Sequence, residues 1–188
     1  MTTDTTSRAP APTTLTDRAL IRAGAAFALA AGSLRLATSF VDPDAGGAVI
    51  ETIYDAIDIS LLFAAITAFV AIPASRTGLG TVGFAVAAVG TGLLIGPEPT
   101  DASVEYYAVG ATAVTIGFAA LAIAWRHSET VTPTTRHAFL ATVAVGLASG
   151  LHDAVFVAAG VVFSVALLGL GRDLHRIGMG ATQATPRR

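Results

Sequence analysis

AFLATVAVGLASGLHDAVFVAAGVVFSVALLGLG, residues Ala138 to Gly171, is the stretch that decides how often the chain crosses a bilayer. It is interrupted only by His152 and Asp153. It is too long for one ordinary span of about 20 residues and short for two. Charge settles the choice. A single span would put Arg172, Arg176, Arg187 and Arg188 on the side opposite to the chain's other loop arginines, whereas a tight hairpin at Ser149 to Ala154 brings them back. Two spans, the fifth and the sixth, are therefore expected here. The fifth would have about 15 residues, roughly 22 Å at 1.5 Å per residue, against about 30 Å of hydrocarbon, so it either thins the bilayer or begins within the Arg136 region.

Outward from this hairpin the same alternation repeats. The first span is read from about Ala19 to Val41, the second from Glu51 to Ile72, the third from Leu79 to Gly96 and the fourth from Val104 to Trp125. The breaks at Val41 to Gly47 and at Gly96 to Ser103 carry Asp42, Asp44, Glu98 and Asp101, and the intervening breaks carry Arg76, Arg126 and Arg136. Ten of the eleven arginines thus fall on one side, which the positive-inside rule makes the cytoplasm. The expected fold is an all-α integral membrane bundle of six transmembrane helices in the plasma membrane, with both termini cytoplasmic. Its expected domains are a disordered tail over 1–18, rich in Thr, Pro and charge, a transmembrane unit over 19–171, and a second disordered tail over 172–188. The patterns Gly92-xxx-Gly96 and Gly146-xxx-Gly150 are the expected points of close helix approach.

Composition agrees and excludes several functions. Hydrophobic residues make up 53% of 188 and charged residues 13%, with a mean hydropathy of +0.68, beyond what a soluble domain of this size carries. Cys is absent, which removes disulfides, thiolate metal sites and cysteine nucleophiles. A net charge of −2 without a basic folded face argues against nucleic acid. His127, His137 and His175 lie in separate cytoplasmic breaks with no i, i+4 partner, so neither a metal nor a haem cofactor is expected. No phosphate loop or nucleotide fingerprint is present. The expected partners are the lipid bilayer and, beyond it, a second copy or another membrane protein.

One group of ionisable residues breaks the pattern. Glu51, Tyr54, Asp55 and Asp58 recur at i, i+3, i+4 and i+7, a single face of a helix. Arg35, the eleventh arginine, lies roughly 9 Å below the outer end of the first span, at the depth of Asp55 and Asp58. Each unpaired charge near mid-bilayer costs about 2.5–3.5 kcal/mol on insertion scales, so these residues should turn inward and pair. Glu105 at the outer start of the fourth span, and His152 with Asp153 in the outer turn of the last hairpin, are placed to join them. The expected site is an outward-opening polar cup lined by Arg35, Glu51, Tyr54, Asp55, Asp58, Glu105, His152 and Asp153. Bland roles compete with this one: an ion pair that only docks the first two spans, carboxylates favoured at helix N-termini by the dipole, and turn residues in the headgroup zone.

The phrases SLRLATSF (Ser33 to Phe40), ETIYDAIDISLLFAAITAFV (Glu51 to Val70) and GLGTVGFAVAAVGTGLLIGP (Gly78 to Pro97) resemble the small Ala- and Gly-rich six-span membrane proteins common in high-GC bacteria. The resemblance implies the fold and no particular activity. Three functional classes stay open on sequence grounds. The first is binding or transport of a small polar or anionic ligand, with Arg35 as anchor and the span-two carboxylates as proton acceptors. The second is an intramembrane acid or base enzyme acting on a lipid-like or prenyl substrate, against which the 7% aromatic content counts. The third is a structural or assembly subunit whose polar cluster only docks helices.

Overall fold

The computed structural model describes residues 15–41, 47–95, 103–148 and 153–183. Within them the chain forms six α-helices: α1 (Leu15–Thr38), α2 (Ala48–Ala71), α3 (Gly78–Leu94), α4 (Ser103–Ala124), α5 (Pro133–Ala148) and α6 (Asp153–Gln183). Short 3-10 turns at Pro73–Arg76 and Trp125–His127 join α2 to α3 and extend α4. Each helix packs on the next in sequence and α6 closes back on α1, so the six form a ring.

Neighbours run antiparallel. Gly24 of α1 meets Thr67 of α2, and Phe27 stacks on Phe63 at 4.7 Å. On α6, Gly160 faces Ser39, Gly171 faces Leu29 and Gly178 faces Arg22, so the last helix descends as the first ascends. The start of α5 lies against the later half of α6, where Gly169 meets Thr135. The beginning of α1 and the end of α6 consequently share one end of the bundle, where Arg22 Nη2 approaches Met179 Sδ at 3.9 Å.

The segments Asp17–Thr38, Ala48–Ala71, Tyr106–His127 and Val157–Gly180 are long and apolar enough to cross a membrane, and Gly78–Leu94 is a shorter apolar helix. Large aliphatic and aromatic side chains stand exposed around the bundle, among them Val49, Ile59, Phe63, Val82, Val89, Val109, Ile116, Leu147 and Val165. In water such a surface would be an aggregation liability; in lipid it is the solvated face. The core beneath is built from Ala28, Ala64, Ala68, Leu121, Leu167 and Leu170, and from Phe118, Phe139 and Phe163, which bring α4, α5 and α6 together.

Closest approach is made by α3 and α4, through glycines other than those the sequence reading named. A β-carbon at Gly117 would lie 2.5 Å from the backbone nitrogen of Ala87, and one at Gly90 would lie 2.7 Å from that of Val114. Gly83 and Gly90 on α3, like Gly110 and Gly117 on α4, are seven residues apart, two turns on one face, so the two backbones touch along a seam without side chains between them. A β-carbon at Gly92 or Gly146 meets open space, and Gly96 and Gly150 lie outside the described residues. The i, i+4 pairs chosen from sequence therefore do not make this seam.

The start of α5 falls in the Arg136 region, one of the two alternatives open for the short fifth span, whereas the end of α6 differs from expectation. Helix α5 begins at Pro133, ahead of Arg136, with Thr132 before it accepting from the Thr135 amide at 3.5 Å. Proline suits a first helical position because the missing N–H has no intrahelical partner there. Helix α6 does not stop at Gly171: it runs on through Arg172 to Gln183, where a disordered tail was expected. The cause is packing, because Leu174 is fully buried and Gly178 closes on Ile21 and Arg22 of α1. Leu15 to Arg18 likewise join α1. The 31 residues of α6 span roughly 46 Å, so one end projects past a hydrocarbon layer of about 30 Å. The hairpin turn at 149–152 and the outer tail residues lie outside the described residues.

Candidate functional site

Arg35 stands in the last turn of α1, where its carbonyl accepts from the Ser39 amide at 3.0 Å, the Ser39 hydroxyl at 2.8 Å and the Thr38 hydroxyl at 3.1 Å. The two hydroxyls add to the amide hydrogen bond on this helix-end carbonyl and so reinforce the last turn, from which the guanidinium leaves. The guanidinium reaches across the ring. It comes within electrostatic range of the Tyr107 hydroxyl of α4 and of Asp58 of α2, and passes 3.9 Å from the position a β-carbon on Gly160 of α6 would take. Four helices thus meet around one cation at the end of the bundle away from Arg22 and Met179.

Asp58 is the acidic member of that meeting. It lies ten positions into α2, roughly 15 Å along its axis, and is 6% exposed. Its charged neighbours are Arg35 and Asp55. No contact ion pair joins Arg35 to Asp55 or Asp58 among the described residues. The Tyr107 hydroxyl and the Asp58 carboxylate both stand near the guanidinium.

The acidic face of α2 is split. Ile57, Leu61, Ala64, Ala65 and Ala68 are buried, so the helix turns Asp58 and Tyr54 toward its neighbours and leaves Glu51 and Asp55 exposed. All four positions do share one side, as their spacing predicted, but the boundary between interior and exterior runs through the middle of it. Glu105 and Asp153 belong to the first turns of α4 and α6, with side chains outside the description, and His152 lies outside the described residues. The residues brought together are therefore Arg35, Tyr54, Asp55 and Asp58, with Tyr107 added. Tyr107 is 45% exposed. Its only signal in the sequence is an aromatic hydroxyl at the outer start of the fourth span.

A second polar centre lies at the other end of the bundle, where the sequence reading expected ionisable groups only at helix ends. Asp173 is 1% exposed. Its Oδ2 accepts from the Thr132 amide at 2.9 Å, the Thr132 hydroxyl at 3.2 Å and the Thr135 hydroxyl at 2.9 Å, so a carboxylate from α6 caps the N-terminus of α5. Its Oδ1 has no hydrogen-bond partner and stands 3.9 Å from Arg176 Nη1. Close by in sequence, Trp125 Nε1 donates to Ser75 Oγ at 2.7 Å, which donates in turn to the Ala68 carbonyl at 3.1 Å. Arg136 Nη1 donates to the Trp125 carbonyl at 2.9 Å. These bonds satisfy helix ends and tie α2, α4, α5 and α6 together; their chemistry is that of a clamp.

Among the described residues no group of three His, Asp or Glu side chains is placed to hold a metal ion. No protein-family model, curated protein or solved structure matches the chain.

Proposed function

We propose that this is a six-span protein of the plasma membrane with both termini in the cytoplasm, and that its outer half binds a small polar or anionic ligand at Arg35 with Asp58 as the accompanying proton site. The Ala- and Gly-rich six-span class it resembles supplies the topology of this reading. The observation that carries the functional part is the disposition of Arg35. An arginine kept only to dock α1 on α2 would contact the carboxylate directly, because a buried pair offsets its desolvation only with close geometry. Among the described residues the guanidinium has the Tyr107 hydroxyl and Asp58 beside it and no carboxylate in contact, which supports a reading in which a third, negatively charged group completes the cluster.

The chemistry follows from charge balance in a low dielectric. An anion arriving at Arg35 replaces Asp58 as the cation's counter-charge, and Asp58 then takes a proton so that the cluster keeps its net charge. Departure of the anion reverses both steps. A single guanidinium flanked by carboxylates selects a monovalent anion over a divalent one.

Uptake of labelled lactate and of chloride into proteoliposomes, with internal pH read by pyranine, tests this reading. Arg35→Ala should abolish probe uptake. Asp58→Asn should leave residual uptake and remove the accompanying proton flux. Wild-type behaviour in both variants would contradict it. The proximity of Arg35 to Tyr107 favours one competing reading, a cluster that merely ties α1 to α4. On that reading a double replacement of Arg35 and Asp58 by leucine leaves the protein folded and functional.

A further inference from the structure

We infer that the exposed groove between α1 and α6, at the arginine-rich end, seats the headgroup of an anionic glycerophospholipid. Val165, Arg172, Arg176 and Met179 follow one another on α6 at intervals of seven, four and three residues, so they form one stripe. All four are exposed: Val165 is 46% and Met179 49% exposed, and the Arg176 side chain is 64% exposed. On α1, Arg22, Ala26 and Leu29 form a matching exposed stripe. Antiparallel packing lays the two side by side, with Leu29 over Gly171 and Arg22 beside Met179.

The order of chemistry along this groove is that of a phospholipid. Val165 lies toward the middle of the bundle and Leu29 lies over Gly171, one residue before Arg172, so the two offer a seat for an acyl chain that reaches the arginines. Arg172 and Arg176 come next, one turn apart, with Arg22 facing them from α1. Asp173, between them in sequence, is buried with Oδ2 committed to α5; its Oδ1 stands 3.9 Å from Arg176, whose side chain remains 64% exposed. Depth agrees as well: Asp173, next to Arg172, lies level with Thr132, where α5 begins. Helix starts and the Trp125–Arg126 turn mark this level as the membrane boundary, the depth of phosphate groups. Guanidinium forks match phosphate oxygens in bidentate geometry, and clustered basic residues at a membrane surface attract anionic lipid. A second copy of the chain is a poor occupant, because a two-fold contact through this face would set arginine against arginine.

Trp125, the only tryptophan and fully buried, reports unfolding of the full-length protein in a neutral detergent. Dioleoylphosphatidylglycerol added to the micelles should raise the unfolding temperature by a few degrees more than the same mole fraction of dioleoylphosphatidylcholine. The difference should shrink in 0.5 M salt. R172Q/R176Q should keep the phosphatidylcholine response and lose the excess with phosphatidylglycerol, and native mass spectrometry of R172Q alone should show depleted phosphatidylglycerol adducts. Soluble sn-glycerol 3-phosphate should give no shift, since it lacks the chain that occupies Leu29 and Val165. Equal shifts from both lipids, a full excess retained by the arginine variants, or an equal shift from glycerol 3-phosphate would each overturn the assignment.

Discussion

Replacing Asp173 separates a clamp from a bystander. In Asp173→Ala the Thr132 amide loses its acceptor, and the Thr132 and Thr135 hydroxyls are left with each other at 2.9 Å. A part-buried donor without a partner costs about 1–3 kcal/mol, and loss of a helix cap about 1 kcal/mol, so the variant should be less stable by about 3 kcal/mol. Asp173→Asn keeps an oxygen in the Oδ2 position, able to accept from the same amide and hydroxyls, and gives up only the charge. It should lose about 1 kcal/mol. Equilibrium unfolding in mixed micelles of rising SDS fraction, followed by Trp125 fluorescence, measures both. If Asp173→Ala lies within about 1 kcal/mol of the parent, or if Asp173→Asn is as damaging as alanine, then the carboxylate does not hold α5 as argued.

Other substitutions probe the seam and the outer cluster. Gly117→Ala should destabilise by about 1–3 kcal/mol, since its β-carbon would fall 2.5 Å from the Ala87 nitrogen, whereas Gly92→Ala meets nothing and should stabilise α3 by about 0.5–1 kcal/mol; the same unfolding assay checks both. Tyr107→Phe should weaken probe-anion uptake without abolishing it, because Arg35 loses a neighbouring hydroxyl and keeps its carboxylate neighbours. Uptake unchanged in Tyr107→Phe would remove the phenol from the site.

The helices were legible because their causes are local. Apolar runs broken by Arg on one side and by Asp or Glu on the other specify where each helix lies, and the two-helix reading of Ala138 to Gly171 matches the break between Ala148 and Asp153. What failed to show was what depends on a partner helix. Leu174 and Gly178 continue the buried stripe of α6 past Arg172, yet charges at 172, 173 and 176 read as a tail when α1 is out of view. Asp173 looks like an i, i+3 partner of Arg176, and only the fold brings it to Thr132, forty-one residues earlier. The glycine seam was present as a seven-residue spacing on both α3 and α4 and was missed in favour of the four-residue one. For the Arg35 cluster, depth counting along spans one and two set Arg35 level with Asp58, and the structure has the two in electrostatic range without the expected ion pair. Depth counting could not find Tyr107, which becomes a neighbour only because the ring brings α4 opposite α1.

Aqueous access to the Arg35–Asp58 cluster from the end opposite the arginines is the claim on which the functional reading stands. The chain has no cysteine, so Asp55→Cys and Asp58→Cys each introduce a unique thiol, with Ser75→Cys, fully buried at the arginine-rich end, as control. In sealed vesicles of known orientation, a membrane-impermeant maleimide should label positions 55 and 58 from the outer side and spare position 75. Labelling of 58 only from the arginine-rich side, or its absence while 55 reacts, would contradict an outward-facing site.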